Sequence, residues 1–195
     1  MSFDTVSKFE NLISDYFNAP FAVATDSCTH ALELSIIYKK KKKIKIPNQT
    51  YVSIPMLPMK LGISFEWEEL NWKDYYYLSN DIIDAAVFWK KGGYVKNTLM
   101  CLSFQFKKHI NIGRGGMILT DDKDARDMLI KLSYDGRERE KPWMEQNISH
   151  LGYHYYLTPE SAAQGIEIFN KKKDEKPKNW SYRDYPVLNN MKVFK

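Results

Sequence analysis

Cysteine is nearly absent from this chain of 195 residues: there are two, Cys28 and Cys101, and neither stands in a metal-ligand or redox-pair spacing. That leaves no disulfide framework to build on and points to a reduced, cytoplasmic setting. Long apolar runs are missing too. None approaches membrane-spanning length, and the opening residues MSFDTVSKFE carry no signal-peptide hydrophobic region, so neither a membrane span nor export is expected. A strong charge imbalance is also missing. The net charge of +5 is spread along the chain, which suits anionic ligands but does not by itself argue for nucleic acid. The five lysines at 39–43 stand between a helix end and a strand, where they read as a solvated connection that complements the helix dipole. There is no recognisable RNA-binding motif. His150 and His154 stand four apart but have no third ligand in view, so no metal site is expected. No internal repeat occurs. What is present is a globular composition, 44% apolar and 14% aromatic, in a chain long enough for one domain with a substantial core or for one domain plus a short appendage.

Periodicity predicts the elements. Phe3, Val6, Phe9, Leu12, Ile13, Tyr16 and Phe17 recur at helical spacing, and Pro20 closes that segment. Residues 21–25 read as a short buried strand, and Asp26-Ser27 as the cap of a helix reaching position 36 or 37. Strands are predicted at 44–46, 63–68 and 82–88, with a loop from 47 leading into a helix that ends near 61. Helices are predicted at 121–133 and 160–169. Strands alternating with helices argue for an α/β layer whose ligands sit at the C-terminal ends of the strands. KKKDEKPK at 171–178 reads as a charged, exposed linker. The tail beyond it, 180–194, is aromatic enough to pack onto another surface, that of a second subunit among them.

The segment 102–122, LSFQFKKHINIGRGGMILTDD, is the most informative. It reads as a strand ending at Ser103, a lysine-bearing loop, a Gly-Arg-Gly-Gly turn and a strand at 117–120. A lysine held between two strand ends, with a hydroxyl five residues before it and glycines five to eight after it, has the makings of a Schiff-base site. Such a lysine needs a fixed position, and glycines let the backbone bring it close to a flat cofactor. Counting five from Ser103 and five to Gly113 selects Lys108 over its neighbours Lys107 and His109.

This segment resembles the sugar aminotransferases of the DegT/DnrJ/EryC1/StrS family. Ser103-Phe104-Gln105, Lys108 and Gly113-Arg114-Gly115-Gly116 stand where that family has Ser-Phe-His, the pyridoxal phosphate lysine and Gly-Glu-Gly-Gly. Four further segments fall in the family's order. Ser27-Cys28-Thr29-His30-Ala31-Leu32 is similar to Ser-Gly-Thr-x-Ala-Leu, and Pro47-Asn48-Gln49-Thr50-Tyr51 to Pro-x-x-Thr-aromatic. Ile83-Asp84-Ala85-Ala86 is similar to Glu-Asp-Ala-Ala, and Gly152-Tyr153-His154-Tyr155-Tyr156 with Thr158 and Ala162-Ala163 to Gly-Tyr-Asn-Tyr-Arg-x-Thr…Ala-Ala. Together these cover most of residues 1–170.

The resemblance implies a fold and a chemistry. The fold is α/β, a three-layer, fold-type-I, pyridoxal-phosphate-dependent transferase-like large domain with an abbreviated mixed or parallel sheet at 1–170. Residues 171–195, a charged linker and aromatic tail, would stand where the family has a small C-terminal domain. The cofactor is pyridoxal 5′-phosphate. Lys108 would bind it covalently and shuttle protons, which an amine does only if its ammonium form is destabilised. Asp84 would pair with the pyridine nitrogen and keep it protonated; a plain strand-end cap is the other role for that carboxylate. Tyr51 would stack on the ring. Ser27, Cys28 and Thr29 at the helix start, with Ser103, would hold the phosphate, although Ser27 also serves as an ordinary cap. His154 would replace a family asparagine that reaches the cofactor phosphate from the partner subunit.

The implied reaction moves an amino group, from glutamate in most members, to the keto group of a nucleotide-linked deoxysugar. Active sites shared between two subunits imply a homodimer, and a shortened domain exposes apolar surface that a second copy covers. The chain departs from the family at several points. A strand-and-helix unit expected between 68 and 82 is reduced to LNWKDYYYLSND. Cys28 replaces a glycine, Val87 a glutamine or histidine, Arg114 a glutamate and Tyr156 an arginine. These losses carry the alternative: a degenerate member that keeps the fold, and with it cofactor binding, without transaminating.

Overall fold

The computed structural model describes residues 2–195. The chain begins with α1 (Phe3–Phe17), capped by the Ser2 side chain and closed by Asn18 in the left-handed region at φ 58°. β1 (Phe21–Thr25), α2 (Cys28–Tyr38), β2 (Lys43–Pro47), α3 (Ser53–Leu61) and β3 (Ser64–Glu68) follow. Then come β4 (Tyr76–Ser79), β5 (Ile82–Asp84), β6 (Leu99–Ser103), β7 (Gly116–Thr120), α4 (Lys123–Ser133) and α5 (Pro159–Lys172). Ser27, Asp122 and Thr158 cap α2, α4 and α5 through their side chains; the first is the cap expected from the sequence, and α5 starts at Pro159, one residue before the predicted start.

Five strands form a mixed sheet in the order β1-β7-β6-β5-β4, and β2 and β3 pair in parallel as a separate two-stranded sheet. Only β5–β6 is a parallel pair in the main sheet; the other three pairs are antiparallel. Alternation along the strands divides the apolar side chains between two faces. Ala22, Ala24, Met100, Leu102, Met117 and Leu119 join α1 and α5 in one core. Val23, Leu99, Cys101 and Ile118 join α2, α3 and α4 in the other. The result is the three-layer α/β arrangement expected.

Two elements differ from the sequence reading. The strand predicted at 82–88 ends at Asp84, where the backbone turns and the Asp84 carboxylate accepts the Ala86 N–H at 3.0 Å. β4, within the stretch read as a shortened connection, pairs antiparallel with β5 and sets Tyr76 beside Asp84. The tail packs on its own chain: Leu188 is fully buried and its N–H donates to Asn48 O at 2.8 Å.

α1 and α5 approach closely because Gly165 lies under the Phe9 ring, where a Cβ would come within 2.7 Å of it. Deeper in the same layer Glu10 makes a buried ion pair with Arg139, Nη1 lying 3.0 Å from both carboxylate oxygens, while Oε1 also accepts the Ala24 N–H at 2.7 Å. Their side chains are only 5% and 4% exposed. Removing one member leaves a buried charge uncompensated, so Glu10→Ala is expected to cost about 3–5 kcal/mol. Urea unfolding checks this, and a loss within about half a kcal/mol, ordinary for a surface change, would show that water reaches the pair.

Candidate functional site

One edge of the main sheet gathers the strand ends that build the site. The register places Thr25 of β1 opposite Gly116 of β7, Gly116 opposite Ser103 of β6, Cys101 beside Asp84 of β5, and Asp84 opposite Tyr76 of β4. α2 starts just after β1 and the 104–115 loop leaves β6 at the same edge, so a helix start and a lysine loop face one another. Gly116 makes this possible: a Cβ there would lie 2.4 Å from the Ser27 carbonyl carbon and 2.5 Å from the Cys28 nitrogen. Only a residue without a side chain lets β7 run against the first turn of α2.

The loop is held by its own backbone. Phe104 N–H donates to Gly115 O at 2.9 Å, Ile112 N–H to Phe104 O at 3.0 Å and Phe106 N–H to Gly113 O at 3.0 Å. Phe104, Ile110 and Ile112 are buried as anchors, and Gly113 takes φ +82°. Lys108 N–H donates to Gln105 O at 2.8 Å, which sets the side chain half-buried with its Nζ 5.0 Å from the Trp180 ring centroid. Burial pulls its pKa below the ordinary lysine value, helped by Lys107 and Lys178, while Asp84 and Cys28 act the other way.

Asp84 is 4% exposed. Tyr76 Oη donates to its Oδ2, Thr50 bonds the same phenol, and Ala86 N–H serves Oδ1. Burial raises its pKa above the usual carboxylate range, against the lowering pull of these donors and of Lys108. Desolvation likewise lifts the Tyr76 phenol and the Cys28 thiol well above their ordinary values, so both stay neutral.

A cavity of about 460 Å³ opens over this edge, within the size range of small-molecule sites. Ser27, Cys28, Thr29, Tyr51, Asp84, Ser103 and Lys108 all line it, so the fold brings seven of the eight candidate residues together. His154 stands apart: its side chain is 71% exposed and bonds Asp135 at 2.9 Å, off the cavity of its own chain. Lys107 is exposed and does not line this cavity. Tyr51, 49% exposed, sits at the mouth. Ser27 Oγ caps His30 N–H, and Thr29 Oγ1 shares a 2.8 Å bond with Ser53 at the start of α3. Residues 150–154 are not helical, so the spacing of His150 and His154 does not put them on one helix face. No group of three His, Cys, Asp or Glu that could hold a metal ion occurs among the described residues.

Seven of the twenty-one lining residues were site candidates from the sequence. Trp72, Tyr76, Gln105, Tyr185 and, above Lys108, Trp180 belong to the site. The aromatic tail was a signal for the last two. The run Tyr75-Tyr76-Tyr77 holds nothing that marks which phenol turns inward; only the pairing with β5 decides that.

The model of the DegT/DnrJ/EryC1/StrS aminotransferase family matches residues 1–57 and 83–180. A protein of Methanocaldococcus jannaschii, uncharacterized protein MJ1066, is 25% identical over an alignment covering 86% of this chain and 59% of that one. Among solved structures, AtS13 from Actinomadura melliaura superposes with a TM-score of 0.77 at 15% identity, over 87% of this chain and 60% of that one. Sugar aminotransferase CalS13 from Micromonospora echinospora gives 0.71 at 14% identity, over 86% and 60%. The chain thus spans about 60% of the length of these proteins.

The lowered lysine is measurable. An amine reacts only in its neutral form, so the labelling rate of Lys108 by trinitrobenzenesulfonate should rise with pH at a midpoint below the ordinary lysine value. Because the Asp84 charge holds the Lys108 pKa up, Asp84→Asn should move the midpoint lower still. Peptide mapping across a pH series reads both; a Lys108 midpoint at the ordinary lysine value would refute the shift.

Proposed function

Because the chain belongs to the DegT/DnrJ/EryC1/StrS aminotransferase family, we propose that its cavity binds pyridoxal 5′-phosphate and that the protein transaminates, taking an amino group from glutamate and delivering it to a nucleotide-linked keto-deoxysugar. The observation that carries this reading is the buried Asp84 carboxylate on the same cavity as a half-buried lysine whose ammonium form is disfavoured. The residues present suit the group. An acceptor buried at a strand end suits a protonated ring nitrogen, an aromatic at the mouth suits a flat ring, and the first N–H groups of α2 suit a phosphate. When bound, that cofactor supplies an aldehyde that captures amines and a ring that accepts electrons.

The chain's own residues divide the work. Lys108 Nζ is the nucleophile and the proton carrier, and its lowered pKa favours the neutral amine that both roles need. Asp84 is the fixed acceptor, held by Tyr76 Oη and the Ala86 N–H so that it cannot turn away. Tyr51 offers a face to the ring. Ser27, Cys28, Thr29 and Ser103 face the phosphate, with the α2 dipole behind them. Trp180 stands over Lys108, and Trp72 and Tyr185 add aromatic wall to the cavity.

We place the protein in the cytoplasm as a homodimer with shared sites, divided into a domain at 1–170 and a tail at 171–195. No described helix is long and apolar enough to cross a membrane. Trp143, Met144 and Leu151 are 64%, 91% and 76% exposed on the segment leading to His154, and Tyr51, Val52, Met56 and Met59 are exposed around the start of α3. Apolar surface exposed on these two segments suits a second copy, to which His154 would reach. The replacements at Cys28, Val87, Arg114 and Tyr156 favour the second reading, a protein that binds the cofactor without transaminating.

Borohydride reduction after incubation with pyridoxal phosphate, followed by peptide mapping, should fix the label on Lys108; Lys108→Ala should abolish it and Lys107→Ala should not. Label on Lys107, or on no lysine, defeats the assignment. Bleaching of the yellow holoprotein by glutamate supports transamination, and colour that persists supports the second reading.

Shared sites have their own test. Mixing Lys108→Ala with His154→Ala should restore part of the cofactor binding through hybrid sites. A monomer at micromolar concentration that binds the cofactor tightly would rule out the dimer.

A further inference from the structure

A second, smaller cavity of about 200 Å³ lies between the lysine loop and the tail. Ala86, Val87, Ser103 and Lys108 line both cavities, so the two meet at the lysine. The charge of the smaller one is lopsided. Lys107 and Lys108 stand on the loop wall and Lys172 and Lys178 on the tail wall, against the carboxylate of Glu175. Among the described residues Lys107, Lys108 and Lys172 form no ion pair, and Lys178 has a loose one, 3.6 Å from Asp184. The carbonyls at the end of α5 are already taken. That of Lys172 is bonded to His109 Nε2 at 2.8 Å, and that of Lys173 accepts from Tyr16 Oη at 3.0 Å and Trp89 Nε1 at 3.1 Å. These bonds also clamp the tail wall in place.

Size and walls together select a ligand. The volume is below that of drug-sized sites and leaves no room for a nucleotide. Four ammonium groups facing one carboxylate leave a surplus that a monoanion does not cancel. Between the cationic walls the lining is apolar, with Val87, Phe88, Ile110 and Trp180. Phosphate has no apolar part to set against these side chains; a short run of methylenes does. The ring of Trp180 gives the span. Lys178 Nζ lies 3.8 Å and Lys108 Nζ 5.0 Å from its centroid, so the two ammonium groups are at most about 9 Å apart. A short dicarboxylate and its two hydrogen bonds cover that distance.

We infer that this cavity is a dicarboxylate site assembled by the lysine loop and the tail, and that Lys172 and Lys178 select an amino donor carrying a second carboxylate. The donor's role rests on the transamination reading; the site adds to that reading the residues that recognise the donor. Both selecting lysines lie beyond the helix that packs on α1, in a stretch that reads in the sequence as solvated charge.

Glutarate is the probe. It has both carboxylates and neither an amine nor a keto group, so it binds without reacting and needs no cofactor. Calorimetry of the full chain should show glutarate bound about tenfold more tightly than pentanoate, which lacks one carboxylate, and than inorganic phosphate, the worth of one charge-assisted hydrogen bond. Lys172→Gln and Lys178→Gln should each weaken glutarate by about the same factor. Glu175→Gln should tighten it, and Lys176→Gln, a neighbour that does not line the cavity, should leave it unchanged. Saturating glutarate should also raise the midpoint of Lys108 labelling by trinitrobenzenesulfonate, because an adjacent anion favours the ammonium form. No binding of glutarate, phosphate bound as tightly, an equal loss in Lys176→Gln, or an unmoved Lys108 midpoint overturns the inference and leaves the cofactor reading standing. Glutarate bound as expected by a chain that takes no borohydride label on Lys108 overturns the cofactor reading and the donor role with it.

Discussion

A carboxylate almost sealed from water is the constraint around which this fold is arranged. Burying Asp84 costs several kcal/mol unless donors and a cation answer it. The answer comes from four places in the chain: Tyr76 on β4, Thr50 after β2 acting through Tyr76, the Ala86 amide at the turn, and Lys108 in the β6–β7 loop. Each of these has to be at the same sheet edge, which couples the strand order to the chemistry. Burial disfavours charge on both Asp84 and Lys108, so each is the partner that makes the other's ionised form tolerable.

The close approach at Gly116 plays the same part for the opposite wall. Without it α2 would stand off the sheet, and the helix start, Ser103 and the lysine loop would not share one cavity. The two apolar cores on either face hold these pieces against each other, and the tail adds Trp180 and Tyr185 from far along the chain.

The sequence was legible where a local signal and a fold requirement coincide. Cap residues and helical periodicity located α1, α2, α4 and α5 within a few residues. Ser103, Lys108 and Gly116 could be found because spacing along one loop is a local property. Asp84 stood out because a charge inside an apolar strand needs a reason. Tyr76 and Trp72 were hidden, since their place depends on a strand pairing across a stretch that has no periodic pattern. β5 was overextended because Ala85, Val87 and Phe88 are apolar for packing beyond the strand, not within it. His30, also on the cavity, was hidden because Tyr155, on which its ring stacks, lies more than a hundred residues further along.

The small sheet of β2 and β3 shares no backbone ladder with the main sheet. Thr50 and Tyr51 follow β2 closely, so one wall of the cavity hangs from a two-stranded unit whose backbone hydrogen bonds are independent of the main sheet. Such a unit can open and reclose at a free-energy cost below that of global unfolding. A shift of that unit would move Thr50 and Tyr51 without breaking a backbone hydrogen bond between the strands that carry Asp84, Ser103 and Gly116.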